Sequence, residues 1–189
     1  MMKLCWKYLS VFASTGLLFI FLNSGCGGGS GGGGGSVGPT APTIADVAGS
    51  WTGSYTLESA TGCGCVGSIT QLLVGLTVAS NTEISQNGSA IQGTLTSPWT
   101  AELCEFTGTV GSESLGAEAT GCVVEDYPGM ECPDGKRRDL HWSAATLQAT
   151  VLGNDMNGTL VESWDCFKSG SGEPKGTLTL TGRVEQRRG

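Results

Sequence analysis

Short runs in which apolar and polar residues alternate, separated by glycine-containing turns, make up most of this chain. The clearest run is Gln86–Leu95 (QNGSAIQGTL), and its pattern returns as Val151–Leu160 (VLGNDMNGTL). A looser version lies between them at Phe106–Ala117 (FTGTVGSESLGA). A glycine turn followed by a short alternating run is typical of a tight β-hairpin and its returning strand. The pattern therefore predicts an antiparallel meander.

Eight strands are predicted from this alternation: Ser50–Glu58, a strand within Ile69–Gln86, Ala90–Ser97, Glu105–Val110, Leu115–Val124, Leu140–Leu152, Met156–Trp164 and Lys175–Glu185. A short helical turn before the second strand is an alternative, and no amphipathic helix is predicted. Eight strands are enough to close a sheet, and closure removes the exposed strand edges that promote aggregation. The predicted fold class is all-β, a closed up-and-down antiparallel barrel of about eight strands.

The connections of such a meander alternate between two ends of the barrel. The tight turns at 87–89, 111–114 and 153–155 all fall at one end, together with both domain termini; we call this the short-turn end. The four longer connections fall at the opposite, long-loop end. All six domain cysteines lie in these longer connections or beside them, so the barrel is expected to be disulfide-stapled at the long-loop end.

Glycines in the strand interiors share a parity with large apolar residues. Gly53, Gly93, Gly108 and Gly158 lie on the apolar face of four different strands. A glycine inside a strand marks bending or the close approach of another group. Repetition on the inner face favours a small, strongly coiled barrel, and it leaves open whether the interior holds a cavity or is filled by large neighbours.

The N-terminus has the pattern of an export signal. Lys3 and Lys7 precede the apolar run 8–22, and small residues follow, so residues 1–25 are predicted to be a signal peptide. Gly25-Cys26 resembles a bacterial lipobox, which implies a lipoprotein whose Cys26 carries palmitate-type lipid and holds the chain to a membrane. A secreted protein cut nearby and an uncleaved N-terminal anchor are the alternatives.

Residues 26–43 form a glycine-rich segment that cannot bury enough apolar surface to order itself, so a flexible tether is predicted. The barrel domain then covers 44–189. The chain has 10 basic and 17 acidic residues; loss of Lys3 and Lys7 with the signal peptide moves the formal charge from −7 to −9. An acidic surface argues against nucleic acid and against docking on anionic lipid headgroups.

The domain cysteines are Cys63, Cys65, Cys104, Cys122, Cys132 and Cys166. An even number in an exported chain predicts three disulfide bonds. Cys104 and Cys122 are equidistant from the centre of their hairpin, so they are expected to face each other and bond. Cys63 and Cys65 are too close to bond each other and are expected to take Cys132 and Cys166, in an order that stays open.

The residues Gly49-Ser50-Trp51 open the first strand of this eight-stranded meander, and in this they resemble the calycins, that is, lipocalins and avidin-like barrels. The resemblance implies a bacterial lipocalin-like domain in which Trp51 lies at a closed end of the barrel. It also implies that an arginine of the last strand packs across Trp51, and Arg183 is the residue expected there.

Three tryptophans gather near the predicted long-loop end: Trp99, Trp142 and Trp164, with Tyr127 in the longest loop. An aromatic-rimmed mouth would bind an apolar or ring-shaped ligand by burial and stacking. The alternative is that these residues fill the top of the barrel as core.

No catalytic site, metal site or cofactor is expected. His141 is the sole histidine and has no nucleophile–base signature around it. Glu162 shares the parity of Leu160 and Trp164 and could point inward with a raised pKa, but a local bulge is expected to turn it to solvent. The acidic loop containing Glu125, Asp126, Glu131 and Asp134 lacks the spacing of a calcium loop.

Two functions follow from the sequence as hypotheses. The leading one is a monomeric, membrane-anchored, non-enzymatic barrel in the bacterial cell envelope, which binds a small apolar or amphipathic ligand at its long-loop end. The rival is a surface module that binds or inhibits another protein through the disulfide-held loops and has no ligand cavity. An enzyme is the least favoured reading.

Overall fold

The computed structural model describes residues 43–96, 103–122, 127–133 and 135–189, and the side chains of Tyr127 and Pro128 are not among the described features. The predicted signal peptide over 1–25, the lipidation site Cys26 and residues 26–42 of the tether lie outside this range, as does Trp99. Within the described part of the chain, no helix has the length and apolar character needed to cross a membrane.

The described residues form nine strands and one helix. In chain order these are β1 (Gly49–Gly62), α1 (Cys65–Gln71), β2 (Thr77–Asn87), β3 (Ala90–Thr96), β4 (Leu103–Val110), β5 (Ser114–Cys122), β6 (Tyr127–Glu131), β7 (Arg137–Leu152), β8 (Asp155–Lys168) and β9 (Glu173–Arg188). All neighbouring strands pair antiparallel, in the order β5-β4-β3-β2-β1-β9-β8-β7-β6, and β5 also pairs with β7. That last pairing closes eight strands into a barrel and leaves β6 as an addition to β7. The predicted all-β, closed, eight-stranded antiparallel barrel is confirmed.

The repeated motif forms two hairpins of the same kind. Gly88 and Gly153 each have φ of +61°, and the strands on either side pair at Asn87 with Ala90 and at Leu152 with Asp155. The second turn residues, Ser89 and Asn154, have negative φ. Glycine at the first of two turn residues is the arrangement of the type II′ turn, whose twist matches that of the flanking strands.

The connections divide between the two ends as predicted. At the short-turn end, the backbone N–H of Val110 donates to Ser89 O (2.8 Å), and that of Val151 donates to Glu113 O (2.8 Å). The N–H of Arg188 donates to Asn154 O (2.9 Å), which joins the end of β9 to the turn between β7 and β8. The tight turns and the end of the last strand therefore form one hydrogen-bonded surface.

Strand interiors are crowded at the predicted glycines. A Cβ added to Gly158 would overlap the carbonyl oxygen of Gln148 and lie 2.6 Å from the Cβ of Ala149; at Gly93 it would overlap the carbonyl oxygen of Glu83. These oxygens belong to the neighbouring strand, because the small barrel coils its strands tightly over one another. The expected close approach is confirmed.

The short-turn end is sealed by the segment that precedes β1. The Gln86 side chain accepts from Val47 N–H (2.7 Å) and donates to Ala45 O (2.9 Å), while the Trp51 indole N–H donates to Val47 O (2.9 Å). Val47 and Trp51 have no solvent exposure. The amide oxygen and the amide nitrogen of Gln86 are both hydrogen-bonded, so this one side chain holds the segment before β1 against β2.

The arginine that packs on Trp51 is Arg188 and not Arg183. The guanidinium carbon of Arg188 lies 5.7 Å from the Trp51 ring centroid, and its Nη1 donates to Asp46 O (3.0 Å). The expectation of Arg183 was wrong because β9 continues to Arg188, three residues beyond the predicted end, and Arg183 faces solvent beside Glu58 and Glu185.

Two elements differ from the predicted meander. Residues 65–71 form the helix α1, and β2 begins only at Thr77, so Leu72, Val74 and Leu76 precede that strand. Within the long loop 125–139, Tyr127–Glu131 forms β6 and pairs with the start of β7. A seven-residue helix is too short to form on its own, so its formation depends on the tertiary contacts described below.

Candidate functional site

The long-loop end is held by three disulfide bonds formed by the six cysteines of the described chain. Cys104 bonds to Cys122 across their hairpin, as predicted, with a Cα–Cα distance of 4.0 Å. Cys63 bonds to Cys166 and Cys65 to Cys132, with Cα–Cα distances of 6.1 and 5.8 Å. The open order is thus decided, and the two cysteines flanking the start of α1 tie it to β8 and to the end of β6.

Helix α1 covers part of the barrel mouth. Val66 and Thr70 are four residues apart, so they share a helix face, and both are buried. Thr70 Oγ1 donates to Val66 O at 2.9 Å, which leaves its methyl group for the apolar contact. Gly67 is needed because a Cβ there would overlap the carbonyl oxygen of Gly62.

An apolar pocket of about 170 Å³ lies beside this helix. Its lining residues come from α1, from the segment that follows it and from four strands: Thr70, Leu73, Met130, Leu140, Trp164, Leu178 and Leu180. Leu140, Leu178 and Leu180 are buried, and Leu73 and Met130 form the more open part of the wall. We call this the loop-end pocket.

The predicted ligand residues are placed as follows. Trp142 and Trp164 face each other in the β7–β8 register and therefore lie on the same, inner face of the barrel. Trp164 is buried and lines the loop-end pocket; Trp142 is half-buried, and its indole N–H has no acceptor among the described residues. Tyr127 pairs through its backbone with Leu140, and Trp99 lies outside the described residues.

Most of the lining was missed from the sequence. Leu178 and Leu180 have the parity of inward positions, a signal that could have placed them on the inner face, where Leu178 lies opposite Trp164 and Leu180 opposite Glu162. Leu73 and Thr70 could not have been found, because they reach the site only through the helix that the disulfides hold at the barrel mouth.

The middle of the barrel is filled. Trp51, Tyr55, Leu95, Phe106 and Leu160 are all buried and belong to one apolar cluster. The void beside Phe106 and Leu160 measures only about 20 Å³, the space of a single water molecule. A ligand of ordinary size therefore has no room along the barrel axis in this conformation.

Glu162 points into this filled interior, contrary to the expectation that a bulge would turn it to solvent. The bulge lies instead in the partner strand at Ser143, between Trp142 and Ala144, so β8 keeps its alternation through Leu160, Glu162 and Trp164. Glu162 is 2 % exposed, and burial raises the pKa of its carboxyl group to about 7. Its Oε2 accepts no hydrogen bond from the described residues.

Polar groups outside the loop-end pocket form local structural contacts. His141 packs edge-on against Phe167, with the ring centroids 4.9 Å apart. Asp139 accepts from Ser169 Oγ and from Gly129 N–H (2.7 Å), and these hydrogen bonds lower the pKa of its carboxyl group. Across the described ranges, no group of three or more His, Cys, Asp or Glu side chains is arranged to hold a metal ion. Of the predicted acidic loop, Glu125, Asp126 and Asp134 lie outside those ranges.

Four large apolar residues are exposed in the segment that joins α1 to β2. Leu72 is 83 % exposed, and Leu73, Val74 and Leu76 are 43, 38 and 44 % exposed. The segment is fixed rather than loose, because Gly75 N–H donates to Leu57 O (2.8 Å) and Leu57 N–H donates to Leu76 O (3.0 Å). We call residues 72–76 the apolar segment; through Leu73 it is continuous with the loop-end pocket.

A larger groove of about 580 Å³ lies along β4, β5 and β7 towards the short-turn end. Its walls include Gly108, Gly111 and Gly116, and because glycine has no side chain these positions form an open depression in the barrel surface. It lacks the convergent side chains that fix a ligand. The loop-end pocket is the better candidate site.

The fold and the site together define a class: a closed eight-stranded antiparallel β-barrel, cross-linked by disulfides at one end, with a small apolar pocket beside the cross-linked helix. Comparisons of the chain with protein-family models, with curated proteins and with solved structures found no match.

Proposed function

We propose that this protein is a non-enzymatic, lipocalin-like binding barrel, anchored in the bacterial cell envelope through lipid on Cys26, which takes a small apolar or amphipathic ligand at its long-loop end. The observation that carries the proposal is the loop-end pocket, an apolar space of about 170 Å³ at the mouth of an otherwise filled barrel.

The size of the pocket limits the ligand. Drug-sized ligands occupy pockets of roughly 300–1,000 Å³, whereas an apolar cavity of about 150 Å³ is enough for benzene. With walls of Leu140, Leu178, Leu180 and Trp164, the pocket suits one hydrocarbon ring or the end of an acyl chain. A polar part of such a ligand would remain at the mouth, where Leu73 is partly exposed.

The short-turn end supports the lipocalin-like part of the proposal. An arginine of the last strand across a buried tryptophan of the first strand is the arrangement that the calycin resemblance implies, and Arg188 and Trp51 have it. The polypeptide also enters the barrel at this end, where Ala45 N–H donates to Gly111 O at 2.9 Å. The first described residues of the chain therefore lie at the end of the barrel opposite the loop-end pocket.

Benzene titration of the full chain, followed by ligand-detected NMR, tests the pocket. We expect saturable binding that is lost in Leu73→Trp, because a larger side chain at this wall position fills the space. Leu152→Trp is the matched control: Leu152 is also an exposed leucine, at the opposite end of the barrel. Binding that is absent from the wild type, or equally strong in both variants, would refute the proposed site.

Native mass spectrometry of protein made in its own host addresses the ligand itself. A co-purifying small molecule that is present in the wild type and in Leu152→Trp, and absent from Leu73→Trp, is the expected result.

A protein-interaction module is the second candidate, and the apolar segment favours it. Four neighbouring large apolar side chains in solvent are more typical of a protein contact than of a monomer's ordinary surface. A photo-crosslinker at position 72 should then capture one defined protein in host cells, whereas the same group at position 152 should not. Replacement of Val74 by Ser should weaken that capture and leave benzene binding unchanged, which separates the two functions.

A further inference from the structure

Among the described residues, β5 and β7 pair along only part of their length. These strands pair from Ser114 with Thr150 to Glu118 with Thr146, and their pairing ends there. β5 then continues to Cys122 alongside β4, while the preceding part of β7 lies alongside β8 and β6. In the described chain, the β5–β7 seam is therefore hydrogen-bonded near the short-turn end, and beyond Glu118 and Thr146 the two strands do not pair with each other; we call this part of the seam the slit.

A β-bulge lies on each side of the point where the strands separate. Thr120 is the additional residue in β5, and its hydroxyl donates to Glu105 O at 3.3 Å. Ser143 is the additional residue in β7, and its hydroxyl donates to Ser163 O at 3.0 Å. Bulges bend strands and are common next to binding sites. Here each bulge bonds to the strand behind it, so the two edges of the slit are fixed apart.

The void of about 20 Å³ lies beneath this slit. Ala117 and Ala119 of β5 and Ala145 and Leu147 of β7 line it on the two sides of the seam, and Phe106 lines it from β4. Alanines at the edges leave a narrow path that larger residues would fill. The void shares no lining residue with the loop-end pocket, so the two sites are separate.

Of the described residues that line this void, Glu162 is the one with an ionisable side chain. The residues that face it from β3, β4, β5, β7 and β9 in the described chain are apolar, with Leu95, Phe106 and Leu180 among them. A buried carboxyl oxygen without a hydrogen-bond donor costs free energy, because it has lost its bonds to water. The site therefore has space for one small polar group and an acceptor that lacks a donor among the described residues.

We propose that the void beneath the β5–β7 seam binds the ammonium group of a small primary amine, with the Glu162 carboxylate as its counter-ion and the alkyl chain leading out through the slit. An ammonium group is about the size of a water molecule and brings three donors. Its alkyl chain matches the alanine and leucine walls. A divalent metal ion fits poorly, because calcium and magnesium require about six or more oxygen ligands and this void presents one carboxylate.

Calorimetric titration of the full chain in detergent with n-butylammonium at pH 8 tests the proposal. We expect saturable binding to the wild type, at least tenfold weaker binding to Glu162→Gln, and no binding of tetramethylammonium, which is too large for the void. Glu118→Gln makes the same chemical change at an exposed position of β5 and should bind like the wild type. Because the bound amine needs the carboxylate, binding at pH 6 should release a proton, seen as a heat that depends on the buffer.

Ala119→Leu narrows the slit and provides a second arm that does not alter Glu162. It should weaken n-butylammonium binding at least tenfold, whereas Ala144→Leu, at an exposed position of β7, should not. Equal binding to the wild type, Glu162→Gln and Ala119→Leu would overturn the proposal. So would a wild-type protein that holds a single buried water and binds no amine. Neither result bears on benzene binding at the loop-end pocket.

Discussion

Glu162 carries an ionisable side chain in an environment very different from water, since it is buried in the filled barrel interior. Its carboxyl pKa is raised from 4.5 to about 7 by burial, so the folded protein holds a proton that the unfolded chain has released. Stability from this group is fully present below pH 4.5 and is lost as the pH rises through 7. At about 1.4 kcal/mol for each pKa unit, the loss amounts to about 3 kcal/mol.

Replacement of Glu162 by Gln should remove this pH dependence. We expect the free energy of unfolding of Glu162→Gln, relative to the wild type, to rise by about 3 kcal/mol between pH 4.5 and pH 8. Urea unfolding at four or five pH values measures it, with Glu118→Gln as the exposed control. A difference that stays constant over this range would mean that the carboxyl titrates normally in the folded state.

Gly158 tests the tight coiling at a single position. An alanine there places its methyl group against Gln148 O and 2.6 Å from the Ala149 Cβ, so Gly158→Ala should lower stability by about 1–3 kcal/mol. Gly121→Ala is the control, because a Cβ at Gly121 meets no atom within 4 Å. Thermal unfolding of both variants distinguishes steric crowding from the general effect of replacing glycine.

At the scale of the elements, one arginine joins three pieces of the chain. Arg188 of β9 bonds to Asp46 before β1 (3.2 Å from Oδ2) and to Asn154 in the β7–β8 turn (3.2 Å), and it packs on Trp51 of β1. Its side chain is 23 % exposed, against 54 % for Arg183. Arg188 therefore holds the closed end together.

Replacement of each arginine by alanine should give unequal losses of stability. Arg188→Ala removes several charge-assisted hydrogen bonds and a cation–π contact and should cost about 2 kcal/mol. Arg183→Ala removes only surface ion pairs, which contribute about 0–1 kcal/mol. Urea unfolding of the two variants gives the comparison; equal losses would show that the contacts of Arg188 do not stabilise the fold.

At the same scale, the disulfides explain why the alternative of a short helical turn before the second strand is the one that forms, as α1. Residues 65–71 include β-branched side chains, begin without a side-chain cap and make only two turns. Bonds from Cys63 to Cys166 and from Cys65 to Cys132 hold the segment against the barrel mouth, where Val66 and Thr70 are buried. The local pattern left a short helical turn as an alternative, and the long-range cross-links decide it.

For the whole molecule, the barrel has a hydrogen-bonded short-turn end and a disulfide-linked long-loop end, and this division bears on the proposed lipid anchor. The chain enters at the former, and the candidate ligand site lies at the latter. If Cys26 carries the lipid, Cys26→Ser should abolish incorporation of labelled palmitate and release the protein from the membrane fraction. Cys5→Ser, a change within the predicted signal peptide, should keep both the incorporation of palmitate and the presence of the protein in the membrane fraction. A wild-type protein that takes up no palmitate would contradict the lipid anchor: retention in the membrane fraction would then favour an uncleaved anchor, and release from it a secreted form.

Local pattern was sufficient for the barrel and for the sorting of its connections. Alternation with period two places side chains on opposite faces, glycine turns specify hairpins, and equal spacing from a hairpin centre pairs Cys104 with Cys122. These features depend on neighbours in sequence, so they can be read along the chain.

The tertiary structure decided what depends on residues distant in sequence. The partner of Trp51 depends on how far β9 continues, and the helix at the barrel mouth depends on which cysteines Cys63 and Cys65 bond. The inward position of Glu162 depends on the bulge at Ser143 of the neighbouring strand. A bulge moves by one residue without a clear change in the pattern, yet it reverses which face each later side chain occupies. For that reason the sequence by itself determined the type of barrel, and only the folded chain decided which residues line the loop-end pocket and the void beneath the β5–β7 seam.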